Sequence, residues 1–252
     1  DWKDGRFDNY LSTRRSTIAR ARLNFNKTFG DFSVVALVGG EYNNYKYNDN
    51  NTYVDQLIIP DLYAVSNAAV AARTGMYYQE SELQSVYGQV NLGFRNWLFL
   101  DLTGRNDWSS TLPVENNSYF YPSASLGFVL TEAIGLQSNA LSYLKLRGSY
   151  AEVGGSAGAY MLNGTFGASN PFNGNPSLSY TNTLPPLSLL PQRKKSIEAG
   201  LDVKFINNRI RMDLTYYNEN TTNQILNLSI SRMSGFSSTT INAGEIQNQG
   251  WE

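Results

Sequence analysis

SIEAGLDVKFINNRIRMDLTYY, residues 196–217, alternates in period two on both sides of a short polar turn, and this pattern predicts a β-hairpin. In its first arm Ile197, Ala199, Leu201, Val203 and Phe205 share one face, and Ser196, Glu198, Gly200, Asp202 and Lys204 share the other. Asn207 and Asn208 tolerate the positive φ of a two-residue turn. In the return arm Ile210, Met212, Leu214 and Tyr216 alternate with Arg211, Asp213, Thr215 and Tyr217. One face is oily and the other charged. A soluble sandwich would hide the oily face against a second sheet, whereas a membrane barrel would turn it to lipid and leave the charges over a wet lumen.

Composition narrows the choice. The 252 residues are 41% hydrophobic and 16% charged, which argues against disorder. A net charge of -1 and the lack of a basic stripe argue against a nucleic-acid partner. The chain has no cysteine and no histidine, so disulfide frameworks, thiolate metal sites, Ser-His-Asp triads and Cys-His dyads are excluded within it. No cofactor and no catalytic residue are expected. No run of about 18 apolar residues exists to span a bilayer as a helix, yet a barrel strand needs only about 10 alternating residues, so a mean hydropathy of -0.37 is no objection. The 17 tyrosines gather near the ends of the alternating segments, as interfacial girdles do. The chain opens on Asp1-Trp2-Lys3 with no initiator methionine or apolar leader and stops inside an alternating stretch, so it reads as a fragment.

In chain order, residues 17–29 set Ala19, Ala21, Leu23 and Phe25 against Arg20, Arg22, Asn24 and Asn26, and Gly30-Asp31 turns the chain into a partner strand at 32–43. Residues 44–80 read as a long loop, with an alanine-rich piece at 63–73 able to form a short helix. Strands at 83–95 and 97–107, joined at Asn96, set Val86, Val90, Leu92, Phe94, Leu98, Leu100 and Leu102 outward and Gln89, Asn91, Arg95, Asp101, Thr103 and Arg105 opposite. Strands near 119–130 and 144–150 follow, then a long Gly-, Asn-, Ser- and Pro-rich loop at 154–195 that leads into the opening hairpin. Residues 210–230 read as one over-long strand with a bulge near Asn220, and 241–252 as a last strand. About nine strands result. Tight turns fall on one rim and long loops on the other, the asymmetry of outer-membrane barrels.

Local motifs add no chemistry. The sequon Asn163-Gly164-Thr165 is what Asn-rich loops produce by chance, and Gly154-Gly155 with Gly158 lacks the helix and Gly-Lys-Ser/Thr of a phosphate cradle. Asp49, Asn51 and Asp55 have a calcium-like spacing without the glycine and twelfth-position acid of a calcium hand, and read as solvated loop. Asp101 with Asp107, or Glu198 with Asp202, are carboxylate pairs of the kind a glycosidase uses, but such charges more often line a wet lumen.

Several stretches carry a family resemblance. Residues 105–113 (RNDWSSTLP) followed by Tyr119-Phe120-Tyr121-Pro122-Ser123, residues 144–154 (LKLRGSYAEVG), and residues 242–252 (NAGEIQNQGWE), preceded by Tyr216-Tyr217-Asn218 and Asn223-Gln224-Ile225, resemble the C-terminal barrel region of SusC/RagA-type TonB-dependent transporters of Bacteroidetes outer membranes. The resemblance implies an all-β chain, residues 1–252, that supplies about nine strands of an antiparallel transmembrane barrel of about 22 strands around a plug. No plug domain, energising box or N-terminal extension is recognised in it. It further implies active import of oligosaccharides or peptides across the outer membrane. The implied partners are a SusD-like surface lipoprotein as lid, the TonB-ExbB-ExbD complex as energy source, and outer-membrane lipids. The rival expectation is a secreted or surface β-sandwich that binds glycans or acts as an adhesin.

Two expectations concern side chains. Leu98, Leu100, Leu102, Leu201, Val203 and Leu214 should face lipid, and Arg20, Arg22, Asp101, Arg105, Asp202, Lys204, Arg211 and Asp213 the lumen. Tyr77, Tyr78, Trp108, Tyr160 and Phe172 sit on long loops of one rim, where flat aromatics beside Asn and Ser hold sugar rings or peptide side chains.

Overall fold

The computed structural model describes residues 5–136 and 138–252, so Asp1, Trp2 and Lys3 lie outside the described residues. In order the elements are β1 (Phe7–Phe29), β2 (Phe32–Val54), β3 (Arg73–Phe94), β4 (Leu98–Ser109), β5 (Ser118–Val129), a one-turn helix α1 (Leu130–Ala133) and β6 (Leu141–Gly155). There follow β7 (Phe166–Phe172), β8 (Asn175–Tyr180), β9 (Thr183–Leu184), β10 (Gln192–Phe205), β11 (Ile210–Thr222), β12 (Ile225–Ser229), β13 (Ser238–Asn242) and β14 (Ile246–Trp251). Nine strands form one sheet in the order β1-β2-β3-β4-β5-β6-β10-β11-β14, while β12-β13-β9 and β7-β8 form two small sheets. The chain falls into two compact units, residues up to 18 with 43–82, and residues 19–42 with 83–252.

In the second unit the hairpin of residues 196–217 forms, and its alternation sets its register. Leu201 lies opposite Leu214 on one side and Leu146 on the other, and Asp202 opposite Asp213 and Lys145. The turn differs from the expected two residues: Phe205 pairs with Ile210, and Ile206, Asn207 and Asn208 all take positive φ (51°, 53° and 64°), so four residues make the connection. The other short connections of this unit are Gly30-Asp31 and Arg95-Asn96-Trp97, and the segment 130–140 through α1 is longer but compacted by its helical turn. Those at 110–117, 156–191 and 223–245 are long. In an antiparallel sheet, short and long connections that alternate along the chain lie at opposite strand ends.

Three expectations are corrected. Residues 44–80 are not a loop: β2 runs on to Val54 and β3 starts at Arg73, leaving only 55–72 to connect them, with a 3-10 turn at Val65–Asn67 in place of the short helix at 63–73. The strand expected over 210–230 ends at Thr222, where Asn223 adopts φ 56° and turns the chain into β12 of a separate sheet. Residues 241–252 likewise divide at Gly244 (φ 83°) between β13 and β14. The long loop at 154–195 contains the β7–β8 hairpin, whose Asn173-Gly174 turn (φ 48° and 76°) has the left-handed geometry that Asn-Gly favours.

Burial separates a barrel wall from a sandwich. The buried apolar cluster of the second unit, Leu112, Tyr119, Ala157 and Leu189 with Tyr121, Met161, Leu162 and Ile225 against it, draws mainly on the long connections. The apolar residues of the strands are left open instead: Leu102 is 41% and Leu214 40% exposed, and Leu98, Leu100 and Leu201 are half-buried. Val203 departs from its expected openness, being buried at a position whose register partners are Leu144 and Met212. Open apolar strands are what a sheet facing lipid presents and what a sandwich hides.

Candidate functional site

Register fixes which side chains share a face. Asp101 lies opposite Asn91 and Ser125, Ser125 opposite Ser149, Ser149 opposite Glu198, and Glu198 opposite Tyr217. Steps of two along each strand add Arg105, Asp202, Lys204, Arg211 and Asp213 to that face. A side chain at Gly39 would run into the Tyr87 ring, 2.8 Å from its Cβ position, and Tyr87 lies opposite Arg105. Glu41, two residues along from Gly39, therefore joins the same face and brings Arg20 with it through a 2.5 Å ion pair, and Arg22 follows two residues along β1. All eight charged residues stand on one side of the sheet.

On that side the charges are interlocked. Asp107, 4% exposed, accepts from Arg105 Nε (2.7 Å) and from the Tyr121 hydroxyl (2.6 Å). Arg105 also donates to Ser85 Oγ (2.9 Å) and lies 5.8 Å from the Tyr87 ring centroid, so a buried carboxylate is compensated from two strands. Arg147 of β6 crosses β10 at Gly200 and donates to Asp213 and Thr215 of β11, both at 2.5 Å. A Cβ at residue 200 would lie 2.2 Å from Arg147 Nε, so only glycine leaves room for this reach. Arg211 pairs with Asp202 at 3.2 Å, Asn91 and Ser125 donate to Asp101, and Lys204 Nζ lies 4.9 Å from the Tyr143 ring centroid. Sequence reasoning passed over Ser85, Tyr87 and Tyr121, although the period-two pattern through Asp101 and Arg105 extends to them. The carboxylate pairs are too far apart for glycosidase chemistry: six strand steps part Asp101 from Asp107 by about 20 Å and four steps part Glu198 from Asp202 by about 13 Å, beyond the roughly 5–9.5 Å that reaction needs.

The first unit holds its own network. Glu80 accepts from the Tyr78 hydroxyl (2.5 Å), Asn44 Nδ2 (2.8 Å) and Lys46 Nζ (2.9 Å), and these donors, Tyr78 foremost, lower its pKa to about 2. Arg73 holds Asp55 in a two-pronged pair at 2.7 and 2.8 Å, which lowers the Asp55 pKa. Asp49 accepts from Ser12 and Asn51. Asp49 and Asp55 of the calcium-like trio are thus spent on protein donors, and among the described residues no group of three acidic, His or Cys side chains is placed to hold a metal.

The five aromatics expected to contact substrate are not brought together. Tyr77 and Tyr78 are successive residues of β3, not loop residues, and a strand points them to opposite faces: Tyr77 lies 6.1 Å from the Tyr47 ring, and Tyr78 serves Glu80. Trp108 is also a strand residue, opposite Gln84 and Ser118, and shares the parity of Leu100 and Leu102. It therefore lies on the apolar face, which corrects its expected place on a long loop. Tyr160 (φ 62°) and Phe172, 75% exposed at the β7–β8 tip, do lie in the connection 156–191. Phe166 and Tyr180 of that connection meet Phe236 of the connection 223–245, with centroids 4.9 and 5.9 Å apart, a further aromatic set the sequence did not disclose because its members are remote in sequence.

Residues 2–252 match the family described as TonB dependent receptor-like, beta-barrel. Among curated relatives, TonB-dependent receptor P26 of Formosa agariphila is 30% identical over 69% of this chain and 18% of its own length. TonB-dependent receptor P3 of the same organism is 27% identical over 94% of this chain and 24% of its own length. The chain thus spans a quarter or less of those relatives. Among solved structures, that of the RagAB peptide transporter superposes with TM-score 0.86 at 24% identity, over 98% of this chain and 28% of that one. The siderophore receptor PirA from Pseudomonas aeruginosa gives 0.60 at 17% identity, over 96% and 39%. Both show the likeness of fold.

Proposed function

Since this chain belongs to the TonB-dependent receptor-like β-barrel family and lies in the outer membrane as part of its barrel, we propose that it forms the wall of an active importer of nutrients, oligosaccharides or peptides. The observation that carries this reading is the two-sidedness of the sheet. Eight charged residues from four strands stand on one face, most of them held by ion pairs and hydrogen bonds, while the opposite face is apolar and open. We assign the charged face to the lumen, because charge turned to mid-bilayer costs about 2–4 kcal/mol per side chain.

The long connections at 156–191 and 223–245, with Tyr160, Phe172 and the Phe166–Tyr180–Phe236 set, form the recognition rim. A SusD-like surface lipoprotein meets that rim, and the TonB-ExbB-ExbD complex supplies the energy. Peptides are supported over oligosaccharides by one finding, the likeness of fold to a transporter whose structure is that of a peptide carrier. No catalytic role is assigned to the chain. Uptake by the full-length protein tests the reading. Deletions within 156–191 should abolish uptake of candidate peptides or oligosaccharides, and alanine changes at Asn96 and Asn207 should not. Equal loss from both sets at matched outer-membrane levels would refute recognition at the long-connection rim.

A further inference from the structure

The apolar face of the second unit is not evenly clothed in side chains. Across β1–β4 it carries two adjoining grooves, one of about 540 Å³ lined in part by Ala21, Gly40, Tyr42, Val86 and Trp108. The other, of about 510 Å³, is lined in part by Leu23, Ala36, Gly88, Leu102 and Gly104. The lining residues follow one another along each strand (21 to 23, 40 to 36, 86 to 88, 108 to 104), so the two grooves are one channel along the strands. Ala and Gly form its floor, and Leu23, Phe25, Val38 and Leu102, 41–75% exposed, its walls.

We propose that this channel holds one acyl chain of an outer-leaflet membrane lipid as an ordered ligand. The face is the one turned to the bilayer, so hydrocarbon is what covers it. The channel's upper end is marked by Trp108, near the end of β4, and by Tyr42 of β2, residue types that settle at the membrane–water boundary. From Trp108 to Leu102 the channel runs six residues, about 20 Å, and a strand tilted by about 40° carries that length through some 15 Å of depth, half of a ~30 Å hydrocarbon core. Its span is one leaflet. Water is not displaced when lipid fills a site in lipid, so attraction comes from the fit of chain to groove. A groove floored by glycine and walled by leucine supplies that fit where a flat strand face does not.

The test uses the full-length protein, extracted from its own outer membrane in mild detergent, washed, and weighed intact by native mass spectrometry. Wild type should retain a lipid of outer-leaflet mass, and a Gly40→Leu, Gly88→Leu double variant, which fills the channel floor, should retain about tenfold less. A Gly148→Leu variant, on the same face of β6 but outside the channel, should behave as wild type. Equal retention by all three overturns the proposal, as does a wild type that carries a second copy of the barrel in place of lipid. Should the double variant fail to fold, wild type in nanodiscs with brominated lipid decides. Quenching of Trp108, taken as the difference from Trp108→Phe, should saturate at a low fraction of brominated lipid, and quenching that merely follows that fraction refutes an ordered site.

Discussion

At Gly200 a missing side chain decides where a cation sits, because Arg147 lies across the glycine to reach Asp213 and Thr215. Gly200→Val should expel Arg147 and lower stability in urea by about 0.2–1 kcal/mol, a small loss because the Arg147–Asp213 pair is about 40% exposed and screened. The same change should cost less when Arg147 is already alanine, and equal costs in both backgrounds would show the two residues uncoupled. Glu80 gives a pH prediction. Its folded pKa of about 2 lies below the ordinary 4.5, so its contribution is present above pH 4.5 and is lost as pH falls from there toward 2. Amide exchange protection around 44–46 and 78–80 should fall across that window in wild type and stay level in Glu80→Gln. Protection that falls equally in both would assign the effect to another group. Individual partners of this kind were not legible in the sequence, since Glu80 meets Asn44 and Lys46 only once the strands pair.

At the scale of elements, strands with one oily face were legible and strands without one were not. Leu98–Ser109 and Ser118–Val129 match the expected strands to within two residues, because the pattern there has both a period and a contrast. The outer half of β2, YNNYKYNDNNTYV, is polar on both faces, so it pairs as a strand while carrying no hydrophobic period. The break at Asn223 was hidden for the opposite reason: alternation continues through Leu226 and Leu228, and only the left-handed backbone at 223 ends the strand. Asn242 then holds the connections together. Its amide accepts from Leu190 N–H at 2.7 Å and donates to the Leu190 and Asn223 carbonyls at 2.8 and 2.9 Å, much as a backbone group would. Asn242→Leu should cost about 1–3 kcal/mol of local stability through the unpaired groups it leaves. Limited proteolysis should then cut near 189–191 while the strands stay protected, and an unchanged cleavage pattern would contradict this role.

For the molecule as a whole, two-sidedness was the most legible property, since it needs only the alternation of residue types. Which aromatic belongs to which face was less so: Trp108 stands at the end of β4, where loop and strand look alike in sequence. The two faces predict opposite responses to one change. Leu100→Arg should reduce folding into bilayers by about 2–4 kcal/mol, and Thr103→Arg, on the charged face, by less than about 1. Similar costs at both positions in urea titrations with liposomes would refute the assignment of faces. The reach of Arg147 over β10 also has a consequence in time. The contact needs β6, β10 and β11 in place together, so it closes only after the hairpin has zipped onto its neighbour, and it is absent while the wall is being laid down. A bond made last holds the finished state without hastening it, so Arg147→Ala should quicken unfolding and leave the rate of insertion unchanged.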